Sequence, residues 1–142
     1  MSVSRKPFPI LLVEDDEIDV MNVERAFSTN SLHNPLVVKS NGEDALAYLK
    51  TPDMNEESRP NLILLDINMP IMNGLEFLKA CRADEELKKL PVVVLTSSRE
   101  DSDRRDFFNL NVAGYILKPV DFNQFRETIQ VINQYWSLNE FP

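Results

Sequence analysis

Short apolar runs alternate with segments of helical spacing along the whole chain, and few folds accommodate that alternation. The runs Ile10–Val13, Leu36–Val38, Leu62–Leu65, Val92–Leu95 and Gly114–Leu117 are rich in Val, Ile and Leu and are closed by polar, Pro or Gly positions, so they read as five strands. Between them, Val20, Val23 and Phe27, then Ala45, Leu46 and Leu49, then Leu75, Leu78 and Cys81, then Phe107, Phe108 and Leu110 recur at helical spacing. A fifth helical stretch follows the last strand and puts Phe122, Phe125, Ile129, Ile132 and Trp136 on one face. Strands separated by helices run parallel, because a parallel pair needs a crossover. The runs are continuous rather than alternating, as expected of a sheet buried on both faces. The expected fold is a doubly wound α/β domain, whose ligand site lies beyond the carboxyl ends of the strands where the strand order reverses.

Length and charge narrow the function. The chain has 142 residues, enough for one domain with a real core and too few for a second. Its 23 acidic and 15 basic residues give a net charge of -8, which should repel nucleic-acid backbones and anionic lipid surfaces. The apolar runs fall far short of the roughly 20 residues that span a bilayer, and Met1–Pro9 lacks a signal-peptide core. A cytoplasmic protein with no membrane and no nucleic-acid partner is expected. Cys81 is the single cysteine, so no internal disulfide is possible, and His33 sits in a polar stretch as a solvated residue rather than a metal ligand. Thr51–Pro60, carrying Asp53, Asn55, Glu56, Glu57 and Ser58, reads as a mobile surface loop.

The strand ends carry the chemistry. Glu14-Asp15-Asp16-Glu17 follows the first strand and Asp66 follows the third, so several carboxylates converge at one sheet edge. They would raise one another's pKa unless a cation lay among them. An oxygen-only set suits a hard divalent ion such as Mg²⁺. For Asp16 and Glu17 the larger share goes to a simpler role, complementing the positive end of the following helix; Glu14 and Asp15, nearest the strand, are assigned to the metal pocket. Thr96, Ser97 and Ser98 bring hydroxyls to the same edge and Lys118-Pro119 brings a cation. A phosphoryl group on Asp66 would meet a metal ion, a hydroxyl, a backbone N–H and an ammonium there.

Leu11-Leu12-Val13-Glu14-Asp15-Asp16, Leu64-Leu65-Asp66-Ile67-Asn68-Met69-Pro70 with Gly74, Val94-Leu95-Thr96-Ser97 and Tyr115-Ile116-Leu117-Lys118-Pro119 resemble, in order, the signatures of response-regulator receiver domains. The likeness runs from Phe8 to Trp136, making 8–136 a receiver and 137–142 an aromatic extension. It implies a flavodoxin-like sheet of order 2-1-3-4-5. It also implies that Asp66 takes a phosphoryl group from a sensor histidine kinase, with Mg²⁺ held by Glu14, Asp15, Asp66 and the Asn68 carbonyl. Lys118 would contact the phosphate, the Lys118–Pro119 bond would be cis, and Thr96 and Tyr115 would form the switch pair. On residues alone, Tyr115 reads equally well as a half-buried strand aromatic. Asn68 and Ser98 occupy positions that influence hydrolysis in such domains. The pocket departs from the usual pattern in having Glu14 where Asp is common, which leaves Glu14 and Asp16 open to sharing the role.

Val131, Tyr135 and Leu138, with Phe141 beyond, form a second apolar line on the last helix. Together with the fourth helix and fifth strand it is expected to make a homodimer contact, the other reading being a tail packed on its own domain. With no output domain in view, the signal would leave through a contact. The acidic loop and aromatic extension are most similar to small regulators paired with bacterial and cyanobacterial phytochromes. Two other classes fit less well: a haloacid-dehalogenase phosphatase wants a second Asp where Asn68 stands, and a flavodoxin would not place carboxylates where a phosphate must sit. A receiver-shaped interaction module that works without phosphorylation is the runner-up.

Overall fold

The computed structural model describes residues 7–52, 54–55, 58–97, 100–119 and 121–138. The elements follow the expected alternation: β1 Ile10–Val13, α1 Glu17–Thr29, β2 Leu36–Lys39, α2 Gly42–Leu49, β3 Leu62–Leu65, α3 Gly74–Arg82, a 3₁₀ turn Leu87–Lys89, β4 Val92–Thr96, α4 Asp101–Phe108, β5 Gly114–Leu117 and α5 Phe122–Ser137. All four strand pairs are parallel, and the order β2-β1-β3-β4-β5 is the one expected.

The pleat sorts the strand residues into two cores. Ile10, Leu12, Leu62, Leu64, Val93 and Leu95 meet Val23 and Phe27 of α1 and Phe125, Ile129 and Ile132 of α5. Their neighbours Leu11, Val13, Ile63, Leu65, Val92 and Val94 meet Ala45 and Leu49 of α2, Phe77, Leu78 and Cys81 of α3, and Phe107 of α4. Successive side chains of a strand point to opposite faces, so a continuous apolar run is what two covered faces require. The three inner strands are buried throughout, whereas β2 and β5 are only half-buried, each having a neighbour on one side alone.

Helix starts are fixed locally. Asn41 caps α2 by accepting from the Asp44 N–H at 2.8 Å, Asn73 and Glu76 form a reciprocal capping box on α3, and Asp121 accepts from the Asn123 N–H at 2.9 Å. Three details depart from expectation. The 3₁₀ turn was not anticipated, Leu110 lies past the end of α4, and Phe108 is half exposed rather than core-facing. In the loop before β3, Asn55 anchors a turn by accepting from the Ser58 N–H at 2.8 Å.

Candidate functional site

Strand register builds the site. Val13 of β1 lies level with Leu65 of β3, so the next residues, Glu14 and Asp66, leave neighbouring strands at one height, at the point where the strand order reverses. Hydrogen bonds hold them there: the Asp66 N–H donates to the Val13 carbonyl and the Glu14 N–H to the Lys39 carbonyl, each at 3.0 Å. Thr96 of β4 lies level with Leu117 of β5, and the Lys118 N–H donates to the Thr96 carbonyl at 2.8 Å. One carboxylate oxygen each from Glu14, Asp15 and Asp66 lies within 4.8 Å of the others.

Lys118 reaches into this cluster. Its Nζ donates to Glu14 Oε2 and to Asp19 Oδ2, both at 2.8 Å, and lies 3.7 Å from Asp66 Oδ1. Burial works against the charges of Glu14, Asp66 and Lys118. It pushes the Glu14 carboxyl up to about 7, opposed by the hydrogen bond from Lys118 and reinforced by the charge of Asp66. It raises Asp66 as well, against the pull of Lys118. Burial would also lower the Lys118 ammonium, but its hydrogen bonds to Asp19 and Glu14 and the charges of Glu14 and Asp66 outweigh that and hold it above its ordinary range. Three converging carboxylates against one ammonium leave the pocket short of positive charge. Hard divalent ions bind oxygens at about 2.1–2.5 Å, so oxygens sharing one ion stand no more than roughly 4–5 Å apart, and those of Glu14, Asp15 and Asp66 fall within that limit.

The acids occupy distinct places. Asp16 is the N-cap of α1, its Oδ1 accepting from the Ile18 N–H at 2.8 Å and the Asp19 N–H at 3.3 Å. Glu14 is 3% exposed and faces Lys118, and it is Glu14 rather than Asp16 that gathers with Asp15 and Asp66. Thr96 is buried at the end of β4 and Ser97 is exposed beside it. The half-buried Tyr115 ring lies 6.2 Å from that of Phe107 and 6.4 Å from that of Phe108. Asn68 is exposed on the segment after Asp66, and Gly74 closes that segment. A Cβ on Gly74 would stand 2.5 Å from the Asp66 carbonyl oxygen and 2.9 Å from Ile67 Cα, so only glycine lets α3 start so near the site.

Other expectations fare differently. Among the described residues no peptide bond is cis, so the Lys118–Pro119 bond is trans rather than cis as the resemblance implied. Trans is the lower-energy isomer of such a bond by about 0.5–1 kcal/mol, and Lys118 makes its contacts from it. Val131, Tyr135 and Leu138 are 62%, 59% and 85% exposed, an uncovered apolar line; Ser98 and Phe141 lie outside the described residues. Sequence reasoning missed Asp19. An acid in the first turn of a helix already has a reason to be there, and its partner lies 99 residues away.

Residues 10–130 match the profile of the family described as "Response regulator receiver domain". The chain belongs to this receiver family. Receivers are signalling components of two-component systems, and this one has relatives of its own size. The response regulator Rcp1 of Synechocystis sp. is 36% identical over 134 residues, covering 94% of this receiver and 91% of that protein. The probable methanogenesis regulatory protein FilR2 of Methanothrix harundinacea is 36% identical over 130 residues, covering 92% and 84% respectively. Among solved structures, the phosphorylated cyanobacterial phytochrome response regulator RcpA superposes with a TM-score of 0.86 at 32% identity, covering 96% of this receiver and 99% of that chain. The Mn²⁺-bound form of Rcp1 does so with a TM-score of 0.83 at 35% identity and the same coverage. No helix among the described residues is long and apolar enough to cross a membrane.

Proposed function

We propose that this receiver takes a phosphoryl group onto Asp66 from the phosphohistidine of a sensor histidine kinase, in a reaction that needs Mg²⁺. The observation that carries the reading is the meeting of Asp66 with Glu14, Asp15 and Lys118 at the carboxyl edge of the sheet. Glu14, Asp15 and Asp66, with the Asn68 carbonyl, would hold the ion, and its charge would offset the phosphoryl oxygens as transfer proceeds. The Asp66 carboxylate oxygen forms the new bond to phosphorus as the bond to the donor breaks, and the electron pair leaves with the donor. Lys118 hydrogen-bonds a phosphoryl oxygen without giving up its proton. Thr96, already buried at the end of β4, and the exposed Ser97 supply hydroxyls.

Thr96 and Tyr115 form the switch: the hydroxyl draws toward the phosphoryl group and the ring follows inward, changing its packing against Phe107 and Phe108 of α4. The signal then leaves through α4, β5 and α5, where Val131, Tyr135 and Leu138 form a homodimer contact. The likeness to RcpA and Rcp1 supports a phytochrome-type kinase as donor, although FilR2 shows that relatives of similar identity serve other pathways. The net charge of -8 argues against nucleic-acid binding, and a lone buried thiol suits the cytoplasm.

Intact mass after incubation with acetyl phosphate and Mg²⁺ tests the reading. One phosphoryl mass should appear on wild type, need the metal, and be absent from Asp66→Asn. Wild type that gains no mass from acetyl phosphate or phosphoramidate would replace this reading with an interaction module that works without phosphorylation.

A further inference from the structure

Lys118 has a partner outside the metal-binding cluster. Glu14 and Asp66 belong to that cluster, but Asp19 does not, and its Oδ2 accepts from the ammonium at 2.8 Å, nearer than Asp66 at 3.7 Å. Asp19 lies in the first turn of α1, where its own N–H is tied to the Asp16 cap at 3.3 Å, so the carboxylate projects from fixed backbone. Beside the ammonium is a cavity of about 70 Å³ lined by Asp19, Asn22, Val23, Pro119, Phe122 and Phe125. An untethered Lys118 has that space to relax into. In the proposed reaction its other two partners would be engaged, Asp66 as the phosphoryl acceptor and Glu14 in holding the ion. Asp19 would remain as the lysine's partner outside that chemistry.

We propose that Asp19 is a positioning residue for phosphoryl transfer, tethering the Lys118 ammonium beside Asp66 so that it meets the incoming phosphoryl oxygen. This rests on the reading of Asp66 as the acceptor. With acetyl phosphate, the bond from Asp66 to phosphorus forms as the bond to acetate breaks and acetate departs as the anion; Asp19 exchanges no proton in that step. Its contribution is geometric, and displacements on the order of 1 Å are costly in such steps.

The test is the initial rate of acetyl phosphate labelling, followed by intact mass at fixed Mg²⁺, for wild type, Asp19→Ala, Asp19→Asn and Glu17→Ala. Asp19→Ala should be slower by about 10-fold or more. Asp19→Asn, which keeps an acceptor oxygen without the charge, should fall between it and wild type. Glu17→Ala removes the same charge from the same turn and should match wild type. In a Lys118→Ala background Asp19→Ala should add nothing. A second readout needs neither donor nor metal: in ¹H–¹⁵N spectra the Lys118 ammonium should be protected from water in wild type and Asp19→Asn and exchange-broadened in Asp19→Ala. Labelling of Asp19→Ala within twofold of wild type, equal slowing by Glu17→Ala, or further slowing in the Lys118→Ala background would each overturn the proposal. If wild type takes no phosphoryl group at all, the reading of Asp66 fails, and the ammonium spectra still decide whether the tether exists.

Discussion

At Glu14, burial and function oppose each other. The side chain is almost inaccessible, and burial first, with Asp66 adding to it, sets its carboxyl near 7 against the pull of Lys118. A folded pKa above the ordinary 4.5 means that the folded state binds this proton more tightly than the unfolded chain. The resulting stability is fully present below pH 4.5 and is lost as the pH rises through about 7. In EDTA we expect the unfolding free energy to fall across that window by about 3 kcal/mol, read from urea denaturation, and Mg²⁺ to remove most of the slope by supplying the missing positive charge. A flat profile in EDTA would contradict the account. Glu14, Asp15, Asp66 and Lys118 were legible in the sequence because each lies at or next to the end of an apolar run, and parallel strands gather their carboxyl ends. Asp16 was legible as a helix-end residue for the equally local reason that it caps α1. Asp19 was not, since its role depends on a lysine brought near only by the whole sheet.

Among the elements, α3 depends on its last residue. Arg82 donates to the carbonyls of Leu110 at 2.8 Å, Leu90 at 3.1 Å, and Lys88 and Asn111 at 3.2 Å. One guanidinium thereby ties α3 to the 3₁₀ turn, to the approach to β4 and to the connection after α4. Burial lowers its pKa only from a very high value, so it stays charged. Arg82→Ala should destabilise by about 2–3 kcal/mol, read from urea unfolding, and Arg82→Lys should recover little because an ammonium lacks the planar fork that serves several carbonyls at once. Full recovery by lysine would show that charge alone matters. Nothing in the sequence marks this clamp, because its acceptors are main-chain oxygens common to every residue. The 3₁₀ turn escaped notice because three residues cannot display a period, whereas α5, with five apolar positions in register, could hardly be misread. The α4 stripe was weaker for a related reason: Leu110 belongs to the turn after it, and Phe108 faces outward beside Tyr115.

For the molecule as a whole, the outer face of α5 is the surface that bears on assembly. Val131, Tyr135 and Leu138 are spaced four and three residues apart on one outward face, exposed apolar surface that self-association would bury. Sedimentation equilibrium should give a mass that rises with protein concentration and rises further after phosphorylation. Leu138→Glu should hold the monomer mass while still accepting phosphate. A wild-type mass that stays monomeric at all concentrations, phosphorylated or not, would remove the dimer from the account. The same end of α5 carries Trp136, the only tryptophan of the chain, with its ring edge-on to Tyr135 at 5.1 Å and 86°. The helix begins just after Lys118-Pro119, so its rise places Trp136 roughly 20 Å along the axis from the site. Light absorbed at the red edge of the aromatic band is therefore emitted by a single fluorophore that lies too far from Asp66 to touch an ion or phosphate there and that senses whatever settles over Tyr135. The chain carries its own optical label for the outer face of α5, separated in space from the Asp66 pocket.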